Sequence, residues 1–143
     1  MVGGRGRRVK AALLLALLAG CFWRTYGRLM QTHVDVLVSM ARKGVDLVAS
    51  RRLAPESMPE LTYPLERAEA FARTAGERST EPLASLVAFR ELIVRYRELI
   101  DALDRVRREA SGDDARTALV GPLAGVEAAG AAVRAALHAE GRT

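Results

Sequence analysis

The sequence predicts an all-α protein built as an up-and-down bundle of three to four helices, and three observations lead to that class. Strong helix formers (Ala, Leu, Arg, Glu) dominate and the 143 residues include only 5 Pro, a profile of helices rather than of a sandwich or barrel. Apolar residues recur at alternating spacings of three and four in several stretches, which aligns them along one side of a helix. Short polar turns separate the stretches, so successive helices fold back on their neighbours.

The chain begins with a segment of another kind. Residues 1–10 are polar and carry Arg5, Arg7, Arg8 and Lys10, residues 11–19 are unbroken apolar sequence, and Gly20 and Cys21 follow. A charged start, a short apolar run and small residues before a cut site are the anatomy of a signal peptide, here residues 1–20. Lys10 and Arg24 bracket only 13 residues, fewer than the roughly 20 a transmembrane helix needs. Cys21 is the one cysteine, so no intramolecular disulfide forms and its place at the end of the apolar run is what matters.

Leu18-Ala19-Gly20-Cys21 resembles the lipobox of bacterial prolipoproteins. The resemblance covers the leader alone. It implies that the Cys21 thiol receives a diacylglycerol, that a peptidase cuts before it, and that the new amino terminus is acylated with a chain such as palmitate. Two or three chains, at about 0.8 kcal/mol per buried methylene, give stable anchoring to membrane lipid. It also implies residence in the bacterial cell envelope, with Phe22 in place of Asp favouring the outer over the inner membrane. Residues 21–28 then form a membrane-proximal segment whose aromatics and arginines lie on the bilayer surface, and residues 29–140 form the bundle.

The charge balance follows from this division. The chain holds 22 basic and 17 acidic residues, net +5. Loss of the four leader charges leaves 18 against 17. That near-neutral remainder provides no concentrated basic face for a phosphate backbone, so a nucleic-acid partner is not expected. The surviving excess sits early: residues 22–52 hold six basic residues against Asp35 and Asp46.

The first bundle helix is expected over residues 28–52, where Met30, Val34, Leu37, Ala41, Val45 and Val48 form a stripe, with Gly44 allowing close packing. Residues 53–60 contain Pro55 and Pro59 and form a connection in which Ser57 and Glu60 match a capping box. A second helix follows, either kinked at Pro64 or, as the preferred reading, with Thr62 as N-cap and Pro64 in its first turn; it buries Leu65, Ala68, Phe71, Ala72 and Ala75 and ends near Ala75. Thr80-Glu81-Pro82 opens the third and clearest helix, with Leu86, Phe89, Ile93, Tyr96, Ile100 and Leu103 on its core side and acid-before-base pairs outside. Ser111 to Asp114 caps an Ala/Gly-rich fourth helix carrying Leu119, Leu123, Val126, Gly130, Val133 and Leu137, bent at Gly121-Pro122. Its run over residues 117–133 holds one charge, Glu127, yet Ala and Gly are weakly apolar for a membrane span. Residues 140–143 are expected to fray.

Catalytic chemistry finds no local support. His33 and His138 are the only histidines and lack ligand-spaced companions, where a metal site needs three or four converging groups. No Gly-x-Ser-x-Gly, Ser-x-x-Lys, phosphate loop or dinucleotide fingerprint occurs. No cofactor, metal or catalytic residue is therefore assigned. One segment stands out, residues 58–68, where Tyr63 lies between Pro59 and Pro64 with Glu66 and Arg67 close behind; Tyr63, Glu66 and Arg67 form a candidate recognition surface, against the plainer reading of a loop that orients a helix. The expected function is a non-enzymatic scaffold, adaptor or assembly subunit that meets a protein partner at the envelope. The alternative is a small-ligand or unfolded-client binder, chaperone-like, which needs an exposed concavity.

Overall fold

A computed structural model describes residues 3–143; the side chains of Arg5 and Ala19, both in the expected leader, lie outside the described part. The chain forms α1 (Gly3–Ala49), a single 3-10 turn (Pro55–Ser57), α2 (Met58–Arg78), α3 (Ala84–Glu109) and α4 (Gly112–Ala139), with no strand among the described residues. The all-α bundle is thus the observed class, with four helices.

Up-and-down topology can be read from which residues meet. Tyr26 near the start of the packed part of α1 stacks on Phe71 of α2, while Gly44 near its end faces Leu61, so α1 and α2 are antiparallel. Tyr26 bonds Ser85 and Gly44 meets Leu103, which makes α3 parallel to α1. Asp35 reaches Arg134 and Asp46 reaches Arg116, which turns α4 antiparallel to α1. Every neighbouring pair packs and α1 also touches α3 across the bundle, whereas α2 and α4 occupy opposite corners.

The core is the one the apolar stripes describe, except that Phe71 and Leu123 are only partly buried. Met30, Val34, Leu37, Ala41, Val45 and Val48 from α1 meet Leu61, Leu65, Ala68, Ala72 and Ala75 from α2, together with the broad α3 face and Leu119, Val126, Val133 and Leu137 of α4. Gly44 has the packing role foreseen for it: a methyl there would stand 2.7 Å from Leu103 Cδ1. Gly130 likewise lets α4 settle against Val38 and Val34, 3.0 Å and 3.4 Å from where its Cβ would be.

Several boundaries differ from expectation, each for a physical reason. α2 starts at Met58, not after Thr62: Pro59 fills the first turn and Pro64 lies inside the helix. Pro64 lacks the N–H that would bond the Glu60 carbonyl, but burial of Leu61 and Leu65 on either side holds the helix through it. A hydrogen bond of 2.6 Å from the Tyr96 hydroxyl to the Leu61 carbonyl fixes the same turn to α3. Ser57 makes no side-chain capping bond, so the capping box does not close. α3 starts at Ala84, two residues after Pro82.

Ion pairs divide between expected and unexpected partners. Glu91 with Arg95 and Asp104 with Arg108 pair along α3. Glu69 reaches Arg97 of α3 and Arg42 reaches Glu127 of α4, pairs between helices that spacing along one helix does not give. The lone charge of the apolar α4 run is therefore answered by α1. By length and composition, both the amino-terminal part of α1 and α4 satisfy what a membrane-crossing helix needs, more than the counts of apolar residues had allowed. α4 puts Leu119, Val126, Val133 and Leu137 in the bundle core, while Val120 stays 63% exposed.

Candidate functional site

Two regions gather the residues that invite a functional reading, and both begin at the same end of the bundle. In α1 every described side chain from Arg7 to Leu18 is exposed, with Leu14 at 62% and Leu15 at 67%. Cys21 is exposed and free. One residue later packing starts: Phe22 and Trp23 lie partly buried against the core and Tyr26 is 0% exposed. Tyr26 is therefore not on a membrane surface, and the bundle core begins there rather than at residue 29. The reason is periodicity, since Tyr26, Met30, Val34, Leu37 and Ala41 form one continuous inner stripe.

Around Tyr26 lies a polar cluster that the sequence reading did not find. Glu140, just past α4, accepts hydrogen bonds from the Ser85 N–H at 2.9 Å and from Ser85 Oγ at 2.7 Å. Because the serine proton goes to the carboxylate, the Tyr26 hydroxyl donates to Ser85 Oγ at 2.9 Å. Burial pushes the Tyr26 hydroxyl pKa up, as does the nearby Glu140 charge, while the Ser85 bond and Arg142 and Arg90 pull the other way; the phenol stays a donor. Ser85 lies in the first turn of α3, and the residue before that helix, Leu83, caps nothing with its side chain. The carboxylate from the end of α4 thus supplies the cap that α3 lacks, at the positive end of its dipole.

A Schellman-type turn delivers Glu140 and its neighbours to this place. Arg142 N–H bonds the Leu137 carbonyl, Gly141 N–H bonds that of His138, and Gly141 adopts φ 67°, the left-handed conformation such a turn requires. The turn lays Arg142 across α1 at Gly27, where a methyl group would overlap the Arg142 carbonyl oxygen. Arg142 then stacks its guanidinium 4.9 Å from the Trp23 ring centroid and 5.4 Å from that of Tyr26, and pairs with Glu140 at 3.3 Å. Residues 140–142 are accordingly ordered parts of the fold, not a frayed end.

The second region is an open groove of about 570 Å³ between α1 and α2. Tyr63, Glu66 and Arg67 line it together with His33, Phe71 and Phe22. The three residues singled out from sequence do share one exposed face of α2. Arg67 Nη1 donates to the Tyr63 hydroxyl at 3.0 Å and the guanidinium lies 5.7 Å from the ring centroid. His33, which the sequence left without a role, packs 5.0 Å from Phe71 and 6.1 Å from Phe89 by ring centroids. Burial holds its pKa below the usual imidazole value, with the positive charge of Arg67 acting in the same direction.

Among the described residues no three His, Cys, Asp or Glu side chains converge as a metal site would require. His138, exposed on α4, is not near His33 in any ring contact. Comparison with known proteins adds no kinship to this geometry: no family model, no curated protein and no solved structure matches the chain.

Proposed function

We propose that the chain is a lipoprotein of the bacterial cell envelope, anchored to membrane lipid through acylated Cys21. Its helical bundle serves as a non-enzymatic adaptor or assembly subunit toward an envelope protein partner. The observation that carries the reading is the exposed apolar start of α1. Leu13, Leu14, Leu15, Leu17 and Leu18 are all 58–67% exposed. At roughly 1.5–3 kcal/mol for each such side chain moved out of water, five of them hold about 7–15 kcal/mol, comparable to the whole stability of a domain. Such a segment belongs in a bilayer or is removed. The core starts after it, at Tyr26, so a cut before Cys21 leaves the bundle intact. Phe22 after the cysteine favours the outer membrane.

Intact-mass analysis of protein extracted from native membranes tests the anchor. The expected species begins at Cys21 and carries an acyl-glyceryl mass, which Cys21→Ser abolishes together with membrane retention. A chain that retains residues 1–20, or a bare thiol on membrane-retained protein, refutes it.

One observation favours a second reading, binding of a small apolar ligand or an unfolded client: the α1–α2 groove exposes Leu29 and Tyr63 beside Phe22 and Phe71. Apolar-dye binding displaced by an unfolded client, and lost in Tyr63→Ala, would favour it over the adaptor reading.

A further inference from the structure

The end of the bundle at Cys21 carries an uneven distribution of guanidinium groups. On α1, Arg24, Arg28 and Gln31 recur at spacings of four and three, so they share one face, and with Trp23 and the turn from Glu140 to Thr143 they line a groove of about 520 Å³; Gly20, the remaining lining residue on α1, leaves with the leader under the proposed cut. Arg24 and Arg28 are exposed, and neither has a carboxylate within 4.0 Å among the described residues. Glu140, the acidic side chain that lines the groove, is held by Ser85. Beside the groove, Arg78 lies 4.6 Å from the Phe22 ring centroid and Arg142 lies 4.9 Å from that of Trp23.

We propose that this groove binds the phosphate of an anionic phospholipid headgroup, in the same leaflet that holds the lipid on Cys21. The inference rests on the anchor reading for its placement. With a rise of about 1.5 Å per residue, Arg24 stands roughly 4.5 Å and Arg28 roughly 10 Å beyond Cys21 along the helix axis. Those heights fall within or just above the polar layer that a bilayer adds to each side of its hydrocarbon core. Guanidinium groups bind phosphate through paired N–H donors, and indole and phenyl rings beside them favour the same layer.

The other arginine-rich pocket, lined by Arg51, Arg107 and Arg108 at the far end, does not compete. There Asp104 pairs with both Arg107 and Arg108, and the carboxyl ends of α1 and α3 take up positive charge through their dipoles.

Trp23 is the single tryptophan and lines the groove, so its emission reports occupancy. Full protein purified from membranes in neutral detergent is titrated with short-chain phosphatidylglycerol and, separately, with short-chain phosphatidylcholine. A saturable change with phosphatidylglycerol only is expected. Arg24→Gln/Arg28→Gln, whose side chains are exposed and whose helicity by circular dichroism serves as the folding check, should weaken it roughly 25-fold, about fivefold per arginine. Arg51→Gln/Arg52→Gln at the far end should leave it unchanged. Equal response to both lipids, or an unaltered response in Arg24→Gln/Arg28→Gln, overturns the proposal. Displacement by millimolar inorganic phosphate also overturns it, in favour of a free-anion site. Cys21→Ser should keep the phosphatidylglycerol response in detergent, so loss of the anchor and loss of the headgroup site are separately visible.

Discussion

Glu140→Ala is the substitution through which the closing of the bundle can be measured. The carboxylate accepts two hydrogen bonds from Ser85, at 2.9 Å and 2.7 Å, in a setting where the serine is 0% exposed. A hydrogen bond to a charged group contributes about 1.5–3 kcal/mol net. Two such bonds do not add fully here, because the Ser85 hydroxyl retains Tyr26 as a partner at 2.9 Å. The main loss is the Ser85 N–H, left without an acceptor in the first turn of α3, together with the carboxylate at the positive end of that helix. The expected cost is about 2–4 kcal/mol. At about 4 °C per kcal/mol for a domain of this size, Tm should fall by roughly 8–16 °C, read by far-ultraviolet circular dichroism. Glu140→Gln, which keeps one acceptor oxygen, should recover about half of that. In a double-mutant cycle, the coupling between Ser85→Ala and Glu140→Ala should report the hydroxyl–carboxylate bond alone, while Ser85→Ala keeps the cost of the lost Tyr26 bond when Glu140 is already absent. A Tm within 2 °C of the parent in Glu140→Ala would show that the carboxylate is solvated rather than clasped, and the account of the α3 cap would fail.

Other expectations follow from the same packing. Gly44→Val places branched carbon against Leu103, 2.7 Å from its Cδ1, and should cost about 1–3 kcal/mol by overpacking, seen as a lower urea midpoint with an unchanged slope. Tyr96→Phe removes the buried 2.6 Å bond to the Leu61 carbonyl beside Pro64 and should cost about 1–3 kcal/mol; a neutral result in chemical denaturation would mean that water reaches that carbonyl. His33 has a folded-state pKa lowered from 6.5 by burial and by Arg67. The unfolded chain therefore binds the proton more readily, and stability should decline as pH drops below 6.5 toward the lowered value. His33→Gln should flatten that part of the Tm profile, and an identical pH slope in both proteins would contradict the assignment.

The four helices were legible because each carries its own periodic stripe. The run from Leu86 to Leu103 was read in full, and every one of its six core positions is buried. Tyr26 was legible in principle, since it extends the α1 stripe by one turn, but its setting among Phe22, Trp23 and Arg24 resembles an interfacial belt in composition. Local chemistry and periodicity conflicted there, and periodicity prevailed because α2, α3 and the α4 terminus all present partners to that ring. The Thr62 cap was a local inference that tertiary burial of Leu61 overrode, and the Ser57 box stays open because Ser57 holds φ −87° and ψ −12° instead of the extended backbone a cap needs. Tyr63, Glu66 and Arg67 were placed on one surface by spacing alone, whereas their neighbours His33, Phe22 and Phe71 in the groove could not be named from sequence.

By itself the sequence determined what depends on near neighbours along the chain: helix class, stripe positions, the apolar start, and Cys21 at its end. Contacts between remote segments were decided only by the tertiary structure. Ser85 and Glu140 are 55 residues apart, and no local preference of either announces the other. Their meeting depends on α4 running back beside α1 and on a left-handed Gly141 turning the chain onto Gly27. Periodicity specifies which face of a helix is buried, but only packing of the assembled faces sets which ends meet and which charges are left unpaired.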